Sequence, residues 1–233
     1  MSAIYKRELR AYFSSPMGYI IVAAILAILD MGYFILLNAQ VIDVGFMLAY
    51  LNVPCLILIP IMTMRLLSEE RNKKTDQLIL TAPVSLMQIV LGKYFAACTV
   101  FLAAIVISFI FPATFFLFGE PSLAMIIGNY VGYTLLWFTM IAIGLFVSSI
   151  TENQMISAVL TCIILVLIYI LEMLVPSLNI PILQPLLEGL LLFSRFNDFA
   201  QGILNITTIV YYLSFIAVFL FATVRVLDKR RYS

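Results

Sequence analysis

The sequence contains no histidine, and only 11% of its 233 residues are charged. The absence of histidine removes the commonest general base and metal ligand. With it go membrane proteases of the Ser/His and HExxH kinds. No P-loop is present either. The one Gly-Lys pair, Gly92-Lys93, is followed by Tyr94, and Met87 stands where the first glycine of GxxxxGK[ST] belongs. The three cysteines, Cys55, Cys98 and Cys162, each sit inside an apolar run. They read as small packing residues, not as a redox or metal set. Net charge is +1, so no global field draws nucleic acid, and none is expected as a partner.

What is abundant is apolar surface: 64% of residues are hydrophobic, against about 45–50% in soluble domains. A span needs about 20 residues, so the length allows roughly six. The expected fold is an all-α polytopic membrane protein. A basic amphipathic stretch over residues 1–16 is too short to span and suits the interface plane. It ends at Ser14-Ser15-Pro16, with Ser15 able to cap and Pro16 fitting the first helical position. The run after Met17 is too long for a signal-peptide core, so a first span is expected there.

Spans one and two are expected over 17–64, the second starting near Gly45. A polar segment follows over 65–84. Spans three to five cover 85–175, and Ser85-x-x-Gln88 and Thr151-x-x-Gln154 are capping-box patterns opening the third and fifth. An outer segment follows over 176–205, broken by Pro176, Pro181 and Pro185 yet strongly apolar from Leu186 to Phe193. Because an irregular lipid-exposed backbone would go unsatisfied, a short re-entrant or capping helix is expected there. Span six and a basic tail take 206–233.

Orientation follows from the cations. Lys6, Arg7 and Arg10 precede span one. Arg65, Arg71, Lys73, Lys74 and Lys93 lie around the segment between spans two and three. Arg225, Lys229, Arg230 and Arg231 close the chain. Alternation puts all three groups on one side, the cytoplasmic one. Only Arg195 falls on the other.

Residues 68–83 read SEERNKKTDQLILTAP. Thr75 can cap a short helix beginning at Asp76 and ended by Pro83. Two readings stand: a helix that presents Leu78, Ile79 and Leu80 to a cytoplasmic motor domain, or a solvated loop resting on the membrane. Asp30 lies about 20 Å into span one at 1.5 Å per residue. A mid-span aspartate costs about 2.5–3.5 kcal/mol on insertion scales, so it should face the bundle interior, a partner or water. It is either a polar point on a translocation path or a hydrogen bond between helices. Glu172, one turn from the outer end of span five, reads as structural. Gly128-x-x-x-Gly132 and Gly144-x-x-x-Ser148 allow close approach on span four, by the chain's own helices or by a second subunit. Arg195 and Asp198 are spaced to pair across one turn.

Several of these patterns recur together. Ser68-Glu69-Glu70-Arg71, then Thr75-Asp76-Gln77-Leu78-Ile79-Leu80-Thr81-Ala82-Pro83-Val84-Ser85, then Ile89-Val90-Leu91-Gly92-Lys93, resemble the loop of ABC-2 type permeases. Lys74 and Asp76-Gln77 depart from that pattern, which commonly has glycine before the threonine and x-Glu after it. The opening from Tyr5 to Pro16, the stretch from Ser194 to Gly202 and the basic ending resemble the Gld-type, gliding-motility-associated branch. The resemblance implies one permease domain over 1–233 of an ATP-binding cassette transporter in a bacterial cytoplasmic membrane, with both termini inside. It implies an exporter whose ATP and magnesium are bound by a separate ATPase, two copies or a homologous pair. The chain itself is then no enzyme and carries no cofactor. A second permease, identical or homologous, would complete the pathway; in this branch it usually bears a large extracytoplasmic domain. Glu70, Arg71, Thr75, Asp76, Leu78 and Ile79 become the ATPase-coupling residues, Asp30 a path residue, and Arg195 and Asp198 an outer gate. The competing expectations are a membrane scaffold or assembly factor without flux, and an ion-driven transporter, for which neither inverted repeats nor broken midplane helices are visible.

Overall fold

A computed structural model describes residues 2–75, 84–117, 119, 121–175, 191–196, 199, 202 and 205–231. Its helices are α1 (Ser2–Ser14), α2 (Pro16–Ala39), α3 (Val44–Ala49), α4 (Asn52–Thr63), α5 (Arg65–Asn72), α6 (Leu86–Ser108), α7 (Ile110–Phe115), α8 (Leu123–Ile150), α9 (Gln154–Leu174) and α10 (Ile206–Arg231), with a 3-10 turn at Ser194–Phe196. Six stretches are long and apolar enough to cross a membrane: Pro16–Ala39, Asn52–Asn72, Leu86–Phe115, Leu123–Ile150, Gln154–Leu174 and Ile206–Arg231.

Span two differs from its expected limits. The apolar run from Gly45 is not one helix. The short helix α3 stands apart, and the span begins at Asn52 and continues to Asn72. The regular helix is interrupted at Met64, although its backbone stays in the right-handed helical region and its N–H still bonds the Pro60 carbonyl at 2.9 Å. Span four braces this point. The Ser148 hydroxyl oxygen accepts from the N–H of Leu67 and of Ser68, at 3.1 Å each, and donates to the Met64 carbonyl at 3.1 Å.

A second interruption, in span three, is braced the same way. Pro112 cannot donate to the carbonyl of Ser108, four residues back. The Tyr130 hydroxyl donates to that carbonyl at 3.1 Å instead, while its ring stacks on Phe109 with centroids 4.0 Å apart.

Caps follow the sequence in part. Ser85 accepts from the Gln88 N–H, as its pattern predicts. Span five is capped by Asn153, which accepts from Met155, and not by Thr151, whose hydroxyl bonds back to Val147. Ser15 makes no cap bond; its hydroxyl donates to the Tyr12 carbonyl.

Helix α8 is the core. Leu136, Trp137, Met140, Ile141 and Ala142 on it are fully buried, with α10, α9, α4 and α6 against it. Its glycines are filled by the chain itself. A Cβ at Gly132 would lie 2.7 Å from the Phe199 ring, and one at Gly128 2.8 Å from the Phe199 carbonyl. One at Gly144 would strike the Thr63 side chain. The stripe on span four is therefore packed within one chain, leaving no room for a second subunit at these points. Outward, α9 presents Met155, Ile156, Val159, Ile163 and Leu167, a surface suited to lipid tails.

Candidate functional site

Glu70 and Arg71 sit at the end of α5, where the polar segment leaves the bundle. Each is held by a different neighbour. Arg71 donates to the Ile150 carbonyl at 2.8 Å and pairs with Glu152, both in the turn between spans four and five. Glu70 accepts from Arg7 of α1 at 2.7 Å and from Lys93 of α6 at 2.9 Å. Lys93 also reaches Glu8 at 3.2 Å and the Leu66 carbonyl at 2.6 Å. Arg7 closes the ring onto Glu8 at 2.5 Å. The Lys93 side chain is only 1% exposed. An ammonium that deep must be paired, and it is: it donates to Glu8 and to the Leu66 carbonyl and forms an ion pair with Glu70.

Local sequence explains the assembly. Ile4 and Leu9 of α1 pack against the core while Arg7 and Glu8 reach the polar end. Gly92 permits the approach: a Cβ there would lie 3.0 Å from Ile4. Tyr5 bonds Thr99 at 2.9 Å and Tyr12 donates to the Met62 carbonyl at 2.8 Å, so α1 is bolted to spans two and three. Burial opposes ionisation of Glu8, but Lys93 and Arg7 outweigh it and hold the carboxyl below its ordinary range. Beside the ring lies an open polar cleft of about 280 Å³ lined by Arg7, Glu8, Arg65, Glu69, Glu70 and Lys73, among others.

The helix that Thr75 was expected to cap lies outside the described residues. The Thr75 N–H and hydroxyl both bond the Glu70 carbonyl, at 2.9 and 3.2 Å. The Lys74 N–H bonds the Arg71 carbonyl at 3.0 Å, and Lys74 has φ 55°. This is a Schellman C-cap with Lys74 at its left-handed position. It accounts for the glycine expected there and replaced here. Asp76, Leu78 and Ile79 lie outside the described residues, as does Asp198.

At the other end, the Glu172 carboxylate accepts from the backbone N–H of Leu192, Phe193 (2.8 Å) and Ser194 (2.7 Å). Tyr212 donates to the Leu192 carbonyl at 2.6 Å. The Arg195 guanidinium lies 5.1 Å over the Tyr211 ring, and Phe196 packs on Tyr133 with centroids 4.0 Å apart. Residues 191–193 are not helical, and the rest of the expected re-entrant helix lies outside the described residues.

Asp30 joins neither cluster. It is exposed on the outward side of α2, and no neighbour among the described residues bonds it. The chain's own helices therefore do not provide the polar partner a mid-span carboxylate needs.

Over residues 3–231 the sequence matches the family described as ABC-2 family transporter protein. The chain belongs to that family. No curated protein matches it. An ABC-2 family protein is the membrane component of an ABC transporter, not its ATPase subunit, and works with an ABC ATPase. With six apolar helices, this ABC-2 protein is a multi-pass membrane protein. Of the residues brought together here, Glu70 and Arg71 were singled out by the loop pattern, Glu172 was read only as structural, and Lys93 and Glu8 were not singled out. For Lys93 the one usable signal was the recurrence of Glu70-Arg71 with Gly92-Lys93 in the family pattern.

Proposed function

We propose that this ABC-2 protein is half of the substrate pathway of an exporter in a bacterial plasma membrane, driven by a separate ATPase that docks on residues 65–84. The observation that carries the reading is the footing of that segment. Glu70 is tied to α1 and α6 while Arg71 is tied to the turn after span four. A docking segment must stand on such a footing, because a loosely rooted loop would absorb displacement instead of passing it on.

In this reading the loop side is cytoplasmic, α1 lies at the inner surface of the bilayer, and both termini face the cytoplasm. Leu78 and Ile79 are the anchors in the partner's cleft, since a few buried apolar groups dominate such interfaces. The outward carboxylate of Asp30 faces the pathway or a second permease, identical or homologous, of the Gld-type branch. Arg195 and Asp198 lie at the outer exit. ATP and magnesium stay with the ATPase.

The test replaces Leu78 and Ile79 with aspartate, which leaves the spans untouched. The tagged chain should still insert, but the co-purified ATPase and its stimulated hydrolysis should be lost. Unchanged assembly and stimulation would return 65–84 to an ordinary solvated loop.

A further inference from the structure

Lys93 belongs to span three, yet none of its acceptors does. Two come from α5, the Leu66 carbonyl and Glu70, and one from α1, Glu8. Arg7 spans the same two elements, touching Glu8 and Glu70. The two cations and two carboxylates cancel. An ionic set of this kind is a weak source of stability, since apolar residues of similar volume serve as well or better. What it does impose is a fixed relation between the parts it joins. Here those are the root of the polar segment and α1.

From α1 the path to a span is short. Ser15 and Pro16 turn the chain directly into α2. At that corner Gly18 sits so close to α1 that a Cβ would lie 2.6 Å from the Tyr12 carbonyl. A shift of α1 is therefore delivered to the first turns of span one, on the helix that carries Asp30. Arg65 lies 5.6 Å over the Tyr12 ring and adds a second contact between the same two elements.

We propose that Lys93 is a positioning residue for coupling: it is the joint through which the root of the 65–84 segment moves α1 and, through the Ser15-Pro16 corner, the start of span one. The proposal rests on the docking reading above and names the route taken by the motion. Lys93 touches neither nucleotide nor substrate.

Two variants separate a joint from a mere staple. Lys93→Met leaves two part-buried carboxylates with Arg7 as their one shared cation and is expected to destabilise the fold. The triple variant Glu8→Gln/Glu70→Gln/Lys93→Met removes the buried cation with both carboxylates and leaves the half-exposed Arg7 to solvent, and its melting temperature should return to within about 3 °C of the wild type. The first measurement needs no ATPase. Spin labels at Lys6→Cys and Asn72→Cys, both exposed positions, are placed in a Cys162→Ser background in nanodiscs. The wild-type joint should give one narrow distance, and the triple variant a broadened or second population. An unchanged distance distribution in a folded triple variant overturns the proposal.

The second measurement uses the complex with its co-purified ATPase. The triple variant should retain the ATPase but lose about fivefold or more of the stimulated hydrolysis. Full stimulation in that variant would show a staple only and would also overturn the proposal. Loss of the ATPase from the wild-type chain would instead sink the docking reading, while the distance measurement would still decide whether Lys93 joins α1 to α5.

Discussion

The carboxylate of Glu172 accepts the backbone N–H of Phe193 at 2.8 Å, across the gap between span five and the segment leading to span six. The N–H groups of Leu192 and Ser194 share it. Among the described residues these three consecutive amides have no other acceptor. Glu172→Ala should cost about 2–4 kcal/mol, as unsatisfied buried donors do. Glu172→Gln, which keeps one acceptor oxygen, should cost less. Hydrogen exchange in nanodiscs would read it: amides 192–194 should exchange at least about tenfold faster in the alanine variant, with those of α8 unchanged.

Gly132 faces the Phe199 ring at a distance no Cβ tolerates. Gly132→Ala should therefore lower thermal stability, by about 1–3 kcal/mol for an overpacked site. In a Phe199→Ala background, Gly132→Ala should cost less, because the Cγ and Cδ2 contacts at 2.7 and 2.8 Å are gone and only the Cβ remains. Equal and additive losses in a thermal-melt cycle would contradict the packing.

Lys74 holds φ 55° at the end of α5. An L-residue with a Cβ costs roughly 1–2 kcal/mol in that conformation, and glycine does not carry this cost. Lys74→Gly should accordingly stabilise the chain by about 1 kcal/mol and slow exchange at the Lys74 and Thr75 amides.

Glu8 titrates below its ordinary value because Lys93 and Arg7 overcome the burial that opposes its charge. Its contribution to stability is present above the ordinary carboxylate pKa of about 4.3 and is lost as pH falls through the lower folded value. Melting temperature should be flat from neutral pH to about pH 5 and fall below it. In Glu8→Gln the neutral-pH value should drop and the acid limb flatten.

Local signals were legible in the sequence, and distant ones were not. Ser85 announced its cap because donor and acceptor lie within one turn. The six spans were legible because apolar length alone specifies them. Span two was misplaced at its start because an apolar run carries no mark of the break after Ala49. The capping box at Thr151 failed because Asn153, two residues on, offers a carbonyl oxygen at the right reach. Lys93 read only as a cation that marks a side of the membrane. Its partners, Glu8 and Glu70, lie on other elements and leave no periodic trace. Asp30 was expected to face the bundle interior, a partner or water, and its exposure on the outer face of α2 removes the first of these.

Ser148 fastens span two to span four. The span is two rods, 52–63 and 65–72, and the clasp between them is a hydroxyl that belongs to span four. A tilt of the inner rod against the outer one would stretch those three bonds together with the Arg71 contacts to Ile150 and Glu152. Any displacement of 65–72 would thus be felt in span four at two depths, at Ser148 and at the helix end where Arg71 is held.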